Sequence, residues 1–173
     1  MKVKHITDIV IGDYPWHDHL KEECVSRLEN YTSDDLSTNV KATHTGWLWG
    51  CDLVQVKKVK KYILNEVRNR CNPLHSIGNP EVKLSVENFW GNVYRKGDYA
   101  RSHHHHPYFY SFVYFLKSKW YHAPFILSDS KKRIRPKEGR YVIFPSYLKH
   151  HVPKHRYNNT RITLSGNLVI NRE

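Results

Sequence analysis

No apolar run in this sequence is long enough to cross a bilayer. The longest, such as "SFVYFL" (111–116), fall far short of the roughly 20 residues a spanning helix needs. The N-terminus "MKVKHITDIVIGDY" is interrupted by Thr7, Asp8 and Asp13 before a signal-type apolar region develops, so a cytoplasmic protein with no membrane partner is expected. Cysteine is scarce. Cys24, Cys51 and Cys71 are odd in number and lack C-x-x-C spacing, which argues against a disulfide framework or a thiolate zinc knot and for reduced, packed thiols. Ser/Gly-rich and Pro-rich tracts are missing as well, and no period repeats, so nothing marks a linker. A chain of 173 residues with one sizeable core is therefore expected to form a single domain, 1–173. Acidic residues are also in deficit: 28 Lys and Arg face 16 Asp and Glu, a net charge of +12. A field of that sign suits a polyanionic or acidic partner and suits solubility equally, and names neither.

Two patterns succeed one another along the chain. In "WHDHLKEECVSRLENY" Leu20, Cys24 and Leu28 recur at i, i+4, i+8, and in "CDLVQVKKVKKYILNEVRNRC" Val56, Val59, Ile63 and Val67 make a second stripe, with Asp52 available as N-cap. The other face of that second helix carries Lys57, Lys58, Lys60, Lys61 and Arg68, read as a solvated face. Residues 1–75 thus read as mainly helical. From 81 to 173 the pattern is of short strands, "VKLSVENFWGNVY", "YFYSFVYFL", "APFIL", "GRYVIFP" and "RITLSGNLVI", separated by Gly, Pro, Asn and Asp. Helices followed by strands predict an α+β fold in which the N-terminal helices buttress one face of a jelly roll, whose mouth can hold a metal and a small ligand. The segment "KSKWYHAPFILSDSKKRIRPKEGR" is expected to include a mobile loop near that mouth, its cations Lys131, Lys132, Arg133 and Arg135 forming a solvated turn.

Thirteen histidines are present, and most, including His5, His17, His19, His44, His75, His122 and His155, have no spacing that suggests a partner. The run His103–His106 differs. Alternate side chains of a strand share a face, so an H-x-H pair presents two imidazoles together, a start for a transition-metal site. A third ligand is offered by His150 or His151 in "FPSYLKHHVP".

The surroundings of the run carry a resemblance. "NVYRKGDYARSHHH" holds Asn92, Tyr94, Gly97 and His103 as N-x-Y-x-x-G-x(5)-H, which is similar to the approach to the H-x-D motif in the AlkB branch of the 2-oxoglutarate (2OG) and Fe(II)-dependent dioxygenases. "EGRYVIFPSYLKHHVPKHRYNNTRITLSGN" resembles the second half of that pattern, a strand ending F-P-S before the distal His and an R-x-S/T after it. With "SFVYFL" in the place of S-x-V-Y-Y-L, the most similar subgroup is the short prolyl-4-hydroxylase-like oxygenases common in phage genomes, which would put the chain in a host cytoplasm. The resemblance spans about residues 82–170, with a weaker echo at "STNVKATHTGW".

It implies a double-stranded β-helix core, Fe(II) and 2OG as cofactors, O₂ as co-substrate, and hydroxylation of a protein side chain or a nucleic acid. His103, His105 and His150 would hold the metal. Arg161 and Thr163 would bind the distal carboxylate of 2OG, as the planar guanidinium fork pairs with carboxylates, and Asn92 and Tyr94 share a strand face that can contact the same acid. Two registers compete for the first pair. Counting from Gly97 favours His103 and His105, and on an unbroken strand sends Ser111, Val113 and Phe115 to the ligand face; aligning on Ser111 gives His104 and His106. For the distal ligand His150 is preferred to His151. His105 stands where most relatives have a carboxylate, giving a three-histidine site that fits iron and leaves room for zinc, and Phe115 stands where many have a tyrosine. The alternatives are a cupin-like zinc or nickel enzyme working without 2OG, and a non-enzymatic basic nucleic-acid-binding module. The prime substrate and oligomeric state are not legible.

Overall fold

The computed structural model describes residues 9–32, 39–71 and 83–171. His5 and His75 lie outside the described residues. The elements in chain order are β1 (Val10–Asp13), α1 (His17–Glu29), β2 (Val40–Lys41), β3 (Thr43–His44), α2 (Val54–Arg70), β4 (Lys83–Tyr94), β5 (Tyr99–His103), β6 (Tyr110–Lys117), β7 (Phe125–Leu127), β8 (Lys132–Ile134), β9 (Arg140–Pro145), β10 (His150–Val152) and β11 (Arg161–Asn171). They form a six-stranded sheet of order β1-β9-β6-β11-β4-β3 and a five-stranded sheet of order β2-β5-β10-β7-β8, with antiparallel pairing between the named strands. This is the expected jelly roll, an α+β fold with two helices against one sheet.

Period-two alternation in the larger sheet separates two cores. Phe112, Tyr114 and Leu116 of β6, Tyr141 and Ile143 of β9, and Ile162, Leu164 and Leu168 of β11 join the cluster that contains Leu20, Cys24 and Leu28 of α1 and Val56, Val59, Ile63 and Val67 of α2. The intervening Val113, Phe115, Val142 and Phe144 pack with Phe125, Leu127 and Ile134 of the smaller sheet. A sheet covered on both faces needs apolar residues at nearly every position, which is why "SFVYFL" reads as a continuous run rather than an alternation. Close packing also fixes two glycines. A Cβ at Gly91 would stand 2.4 Å from Leu28 Cδ2, and one at Gly166 would stand 2.7 Å from the Asn88 carbonyl oxygen.

Several expectations are corrected. The N-terminal part supplies strands β1, β2 and β3 as well as helices, because the edges of both sheets take their last partners from it. Asp52 does not cap α2. The N-cap is Leu53, without a side-chain bond, and a first-turn N–H that has no partner within the helix, that of Gln55, is instead taken by Glu23 Oε2 of α1 at 2.9 Å, a carboxylate at the positive end of the helix. The segment read as a mobile loop is built around the β7–β8 hairpin, paired through Phe125–Ile134, Ile126–Arg133 and Leu127–Lys132. Apolar Phe125, Leu127 and Ile134 anchor it in the inter-sheet core, while Lys131, Lys132, Arg133 and Arg135 stay exposed. Cys24 and Cys71 are buried free thiols, whereas Cys51 is exposed rather than packed. No helix among the described residues is long and apolar enough to cross a membrane.

Candidate metal centre and acid pocket

The same alternation that sends apolar residues to the helices sends a polar set into the space between the sheets. On β4, Phe89 and Val93 face the helices, so Trp90, Asn92 and Tyr94 face inward; on β11, Ile162 and Leu164 face the helices, so Arg161, Thr163 and Ser165 face inward. Cross-strand pairing sets Arg161 opposite Tyr94 and Thr163 opposite Asn92. Opposite them, in the smaller sheet, His103 of β5 pairs with His150 of β10. All these residues, with His105, line one pocket.

His103, His105 and His150 each offer a ring nitrogen, and the three nitrogens lie within 4.8 Å of one another. Ring centroids are 4.4 Å apart for His103 and His150, and 5.0 Å for the other two pairs. His103 Nδ1 donates to the Arg101 carbonyl at 2.6 Å and His150 Nδ1 to the Leu148 carbonyl at 3.0 Å. A carbonyl can only accept, so the proton sits on Nδ1 and the Nε2 lone pair of both rings is left for the pocket, the arrangement metal-ligating imidazoles adopt. Burial disfavours the charged rings. It lowers the pKa of His103, takes His105 down to about 3 and His150 well below its ordinary value, with the neighbouring imidazoles adding to the depression of the last two. Neutral imidazole is the form that binds a cation.

The expected H-x-H strand is corrected here. β5 ends at His103, and His105 lies in the connection that crosses from the smaller sheet to β6, held by its N–H donating to the Ser146 carbonyl at 2.8 Å. Its ring sits 5.6 Å from that of Trp90. His104 and His106 point outward and are exposed, and His151, on the opposite face of β10, bonds Ser128 Oγ through Nδ1 at 2.9 Å. The structure therefore gathers His103, His105 and His150 and leaves the alternative register and His151 outside.

Arg161 is the largest fully buried side chain of the described residues. Its guanidinium carbon lies 4.7 Å from the Tyr94 ring centre and 5.4 Å from that of Phe115, and Nε, Nη1 and Nη2 have no hydrogen-bond partner; Asn92 Oδ1 is likewise unpaired. Desolvation lowers the Arg161 pKa, and the Tyr94 hydroxyl, close enough to offset part of this, satisfies none of the three nitrogens with good geometry. A buried cation facing π-clouds alone is an unfinished arrangement: leaving such a charge unpaired costs on the order of several kcal/mol. An anion reaching the pocket would pair this cation.

Residues 121–167 match a family model described as a putative 2OG-Fe(II) oxygenase. No curated protein matches the sequence significantly. Among solved structures, the chain is similar to a viral collagen prolyl hydroxylase from Paramecium Bursaria Chlorella virus-1 in its 2OG complex (TM-score 0.70, 13% identity, 92% of this chain and 94% of that one). It is similar also to a Pseudomonas putida prolyl-4-hydroxylase (0.68, 18%, 96% and 94%) and to HygX from Streptomyces hygroscopicus with nickel and 2-oxoglutarate bound (0.69, 11%, 94% and 83%). At these identities the likeness is one of fold.

Sequence reasoning about the site missed the aromatic rim beside His105. Trp90 shares the inward face of Asn92 and Tyr94, so the alternation that selected those two identifies it as well. His44, buried, stacks on Trp90 with centroids 6.0 Å apart, and Trp47 meets both rings at 4.9 Å. The echo at "STNVKATHTGW" was the only signal for that pair.

Proposed function

We propose that this chain is a non-haem Fe(II)- and 2OG-dependent oxygenase that hydroxylates a substrate entering at the rim of His44, Trp47 and Trp90. The observation that carries the reading is the fully buried, unpartnered guanidinium of Arg161 in the same pocket as three converging neutral imidazoles. A zinc hydrolase of cupin type has use for the imidazoles but none for that cation.

His103, His105 and His150 fit a facial set that leaves coordination positions open. Fe(II) held there supplies the oxidising chemistry, coupling oxidative decarboxylation of 2OG to insertion of one oxygen atom of O₂ into a substrate C–H bond. The remaining tasks fall to the chain. Arg161 neutralises and orients the far carboxylate of the acid, Thr163 adds a hydroxyl donor beside it, and Asn92 and Tyr94 flank both on β4. Val113, Phe125 and Phe144 wall the pocket with hydrocarbon and keep water from the reacting centre. The half-exposed edge of His103 and His105 is the open side, which places the substrate against the tryptophans. Likeness in fold to prolyl hydroxylases makes a prolyl peptide the first substrate to try.

Anaerobic titration of metal-free protein with Fe(II) and then 2OG tests the proposal. A weak visible charge-transfer band, lost in His150→Ala and absent in Arg161→Ala that still binds metal, is the expected result. Tight zinc with no band and no 2OG-dependent O₂ uptake would select the hydrolase reading instead.

A further inference from the structure

Several cations of the described residues are paired: Lys21 with Glu138, Arg70 with Glu66, Lys117 with Glu29, and Lys137 and Arg140 with Asp13. Two groups take part in no ion pair among the described residues: Lys57, Lys58, Lys61 and Arg68 on the solvated face of α2, and a group on the outer face of the smaller sheet that surrounds concave ground. Two hollows of about 420 and 260 Å³ adjoin there, joined by the Pro153 and Lys154 that line both. Arg101, Arg133, Lys154 and Arg156 contribute to their walls, no carboxylate does, and none of the four takes part in an ion pair among the described residues. A hydroxyl–imidazole chain, Ser102 Oγ to Ser128 Oγ at 2.8 Å and Ser128 Oγ to His151 Nδ1 at 2.9 Å, lines the first hollow.

Aromatic rings interleave with these charges. Tyr121 and Tyr157 line the second hollow with ring centres 4.5 Å apart. Trp120, 74% exposed, stands 5.7 Å from Tyr121, and Tyr157 is itself 40% exposed. Lys154 Nζ lies 6.0 Å from the Tyr99 ring centre. Exposed rings beside unpaired cations, with no carboxylate in the lining, form the combination that holds single-stranded nucleic acid, phosphates on the cations and unstacked bases on the rings. An acidic peptide uses the charges but leaves the rings idle, and a duplex keeps its bases out of their reach.

We propose that the outer face of the smaller sheet, from Arg101 through Lys154 to Tyr121 and Tyr157, is a binding groove for single-stranded nucleic acid. Only the strands β5 and β10 separate it from the metal centre, since Ala100 and Val152 line both the groove and the inner pocket. The groove is independent of the oxygenase reading, and its test needs neither metal nor 2OG.

The experiment is fluorescence anisotropy of a labelled thymidine oligonucleotide of about 15 residues titrated with the full chain in chelator at several salt concentrations. Binding should weaken with salt with a log–log slope of about −0.7 per phosphate contacted, and Lys154→Gln with Arg156→Gln should reduce that slope by about 1.4. Tyr157→Ala should weaken binding about 5- to 100-fold with the slope unchanged, because a stacked base releases no counterion. Lys57→Gln with Lys61→Gln, on the solvated face of α2, should change nothing. Four results would overturn the proposal: no binding at low salt, equal affinity for duplex, competition by polyglutamate as effective as by the oligonucleotide with Tyr157→Ala neutral, or the α2 pair mattering as much as the groove pair.

Discussion

Two close groups of histidine rings occur among the described residues, and only one turns its free nitrogens toward a shared pocket. His122 and His155 have ring centres 4.7 Å apart, as close as the members of the triad. Three of their four nitrogens, however, are spent within the protein, His122 Nε2 on Asn159 Oδ1 at 2.9 Å, His122 Nδ1 accepting the Lys119 N–H at 3.2 Å and His155 Nε2 on the Asn159 carbonyl at 2.7 Å, which leaves only His155 Nδ1, buried and unpaired. In His103 and His150 the bonds to carbonyls take Nδ1 on the outside and leave Nε2 facing inward. Proximity of imidazoles is therefore a poor sign of a site; the direction in which the second nitrogen is engaged is the useful one. His122 and His155 pin the segment before β11, and so help to fix where Arg161 enters the sheet.

The largest contrast should come from truncating one member of each group. His150→Ala is expected to weaken Fe(II) binding about 100-fold or more, whereas His122→Ala should leave it within about twofold, read by metal titration. Equal losses would erase the distinction. Arg161→Ala comes next. It should weaken 2OG binding about 10- to 100-fold, the worth of a charge-assisted pair, with metal affinity kept and the thermal midpoint of the ligand-free protein unchanged or raised, since the variant removes an uncompensated buried charge. A sharp fall in that midpoint would mean that Arg161 is structural.

A smaller effect is expected of the second pair on stability. His122→Ala removes the bonds to Asn159 Oδ1 and to the Lys119 N–H and should lower unfolding free energy by about 1–3 kcal/mol in denaturant titration. Smallest and most specific is the pH response. Burial lowers the His122 pKa to about 4, with His155 and Arg161 adding to the depression and the Asn159 bond opposing it. Its contribution is complete above the ordinary histidine range; as pH falls from about 6.5 toward about 4 the unfolded chain takes up a proton that the folded chain refuses, and stability drops. His122→Gln should flatten that part of the stability–pH curve relative to the parent protein.

Much of the fold was legible because its signals are local. The stripes Leu20–Cys24–Leu28 and Val56–Val59–Ile63–Val67 are buried as their spacing requires, and five of the strands lie where β-branched and aromatic runs put them. Strands β1, β2, β3, β8 and β10, of two to four residues each, escaped. Segments so short carry too few alternations to register, and they become strands only by completing a neighbour's hydrogen bonds. The cap of α2 escaped for a related reason: Glu23 is thirty-two positions from Gln55 and reaches it only through helix packing.

By itself the sequence determined which residues share a strand face, Asn92 with Tyr94 and Arg161 with Thr163, and a histidine run followed by another before β11; that those faces line a site was implied by the resemblance. The shared faces follow from alternation, which is a property of adjacent residues. Tertiary structure alone decided that His105 turns inward after its strand has ended, that Arg161 is sealed from water without a partner, and that His122 and His155 satisfy one another's surroundings. Each of these depends on which segments of chain meet across the two sheets, and such meetings are set by burial and pairing of the whole rather than by any local spacing.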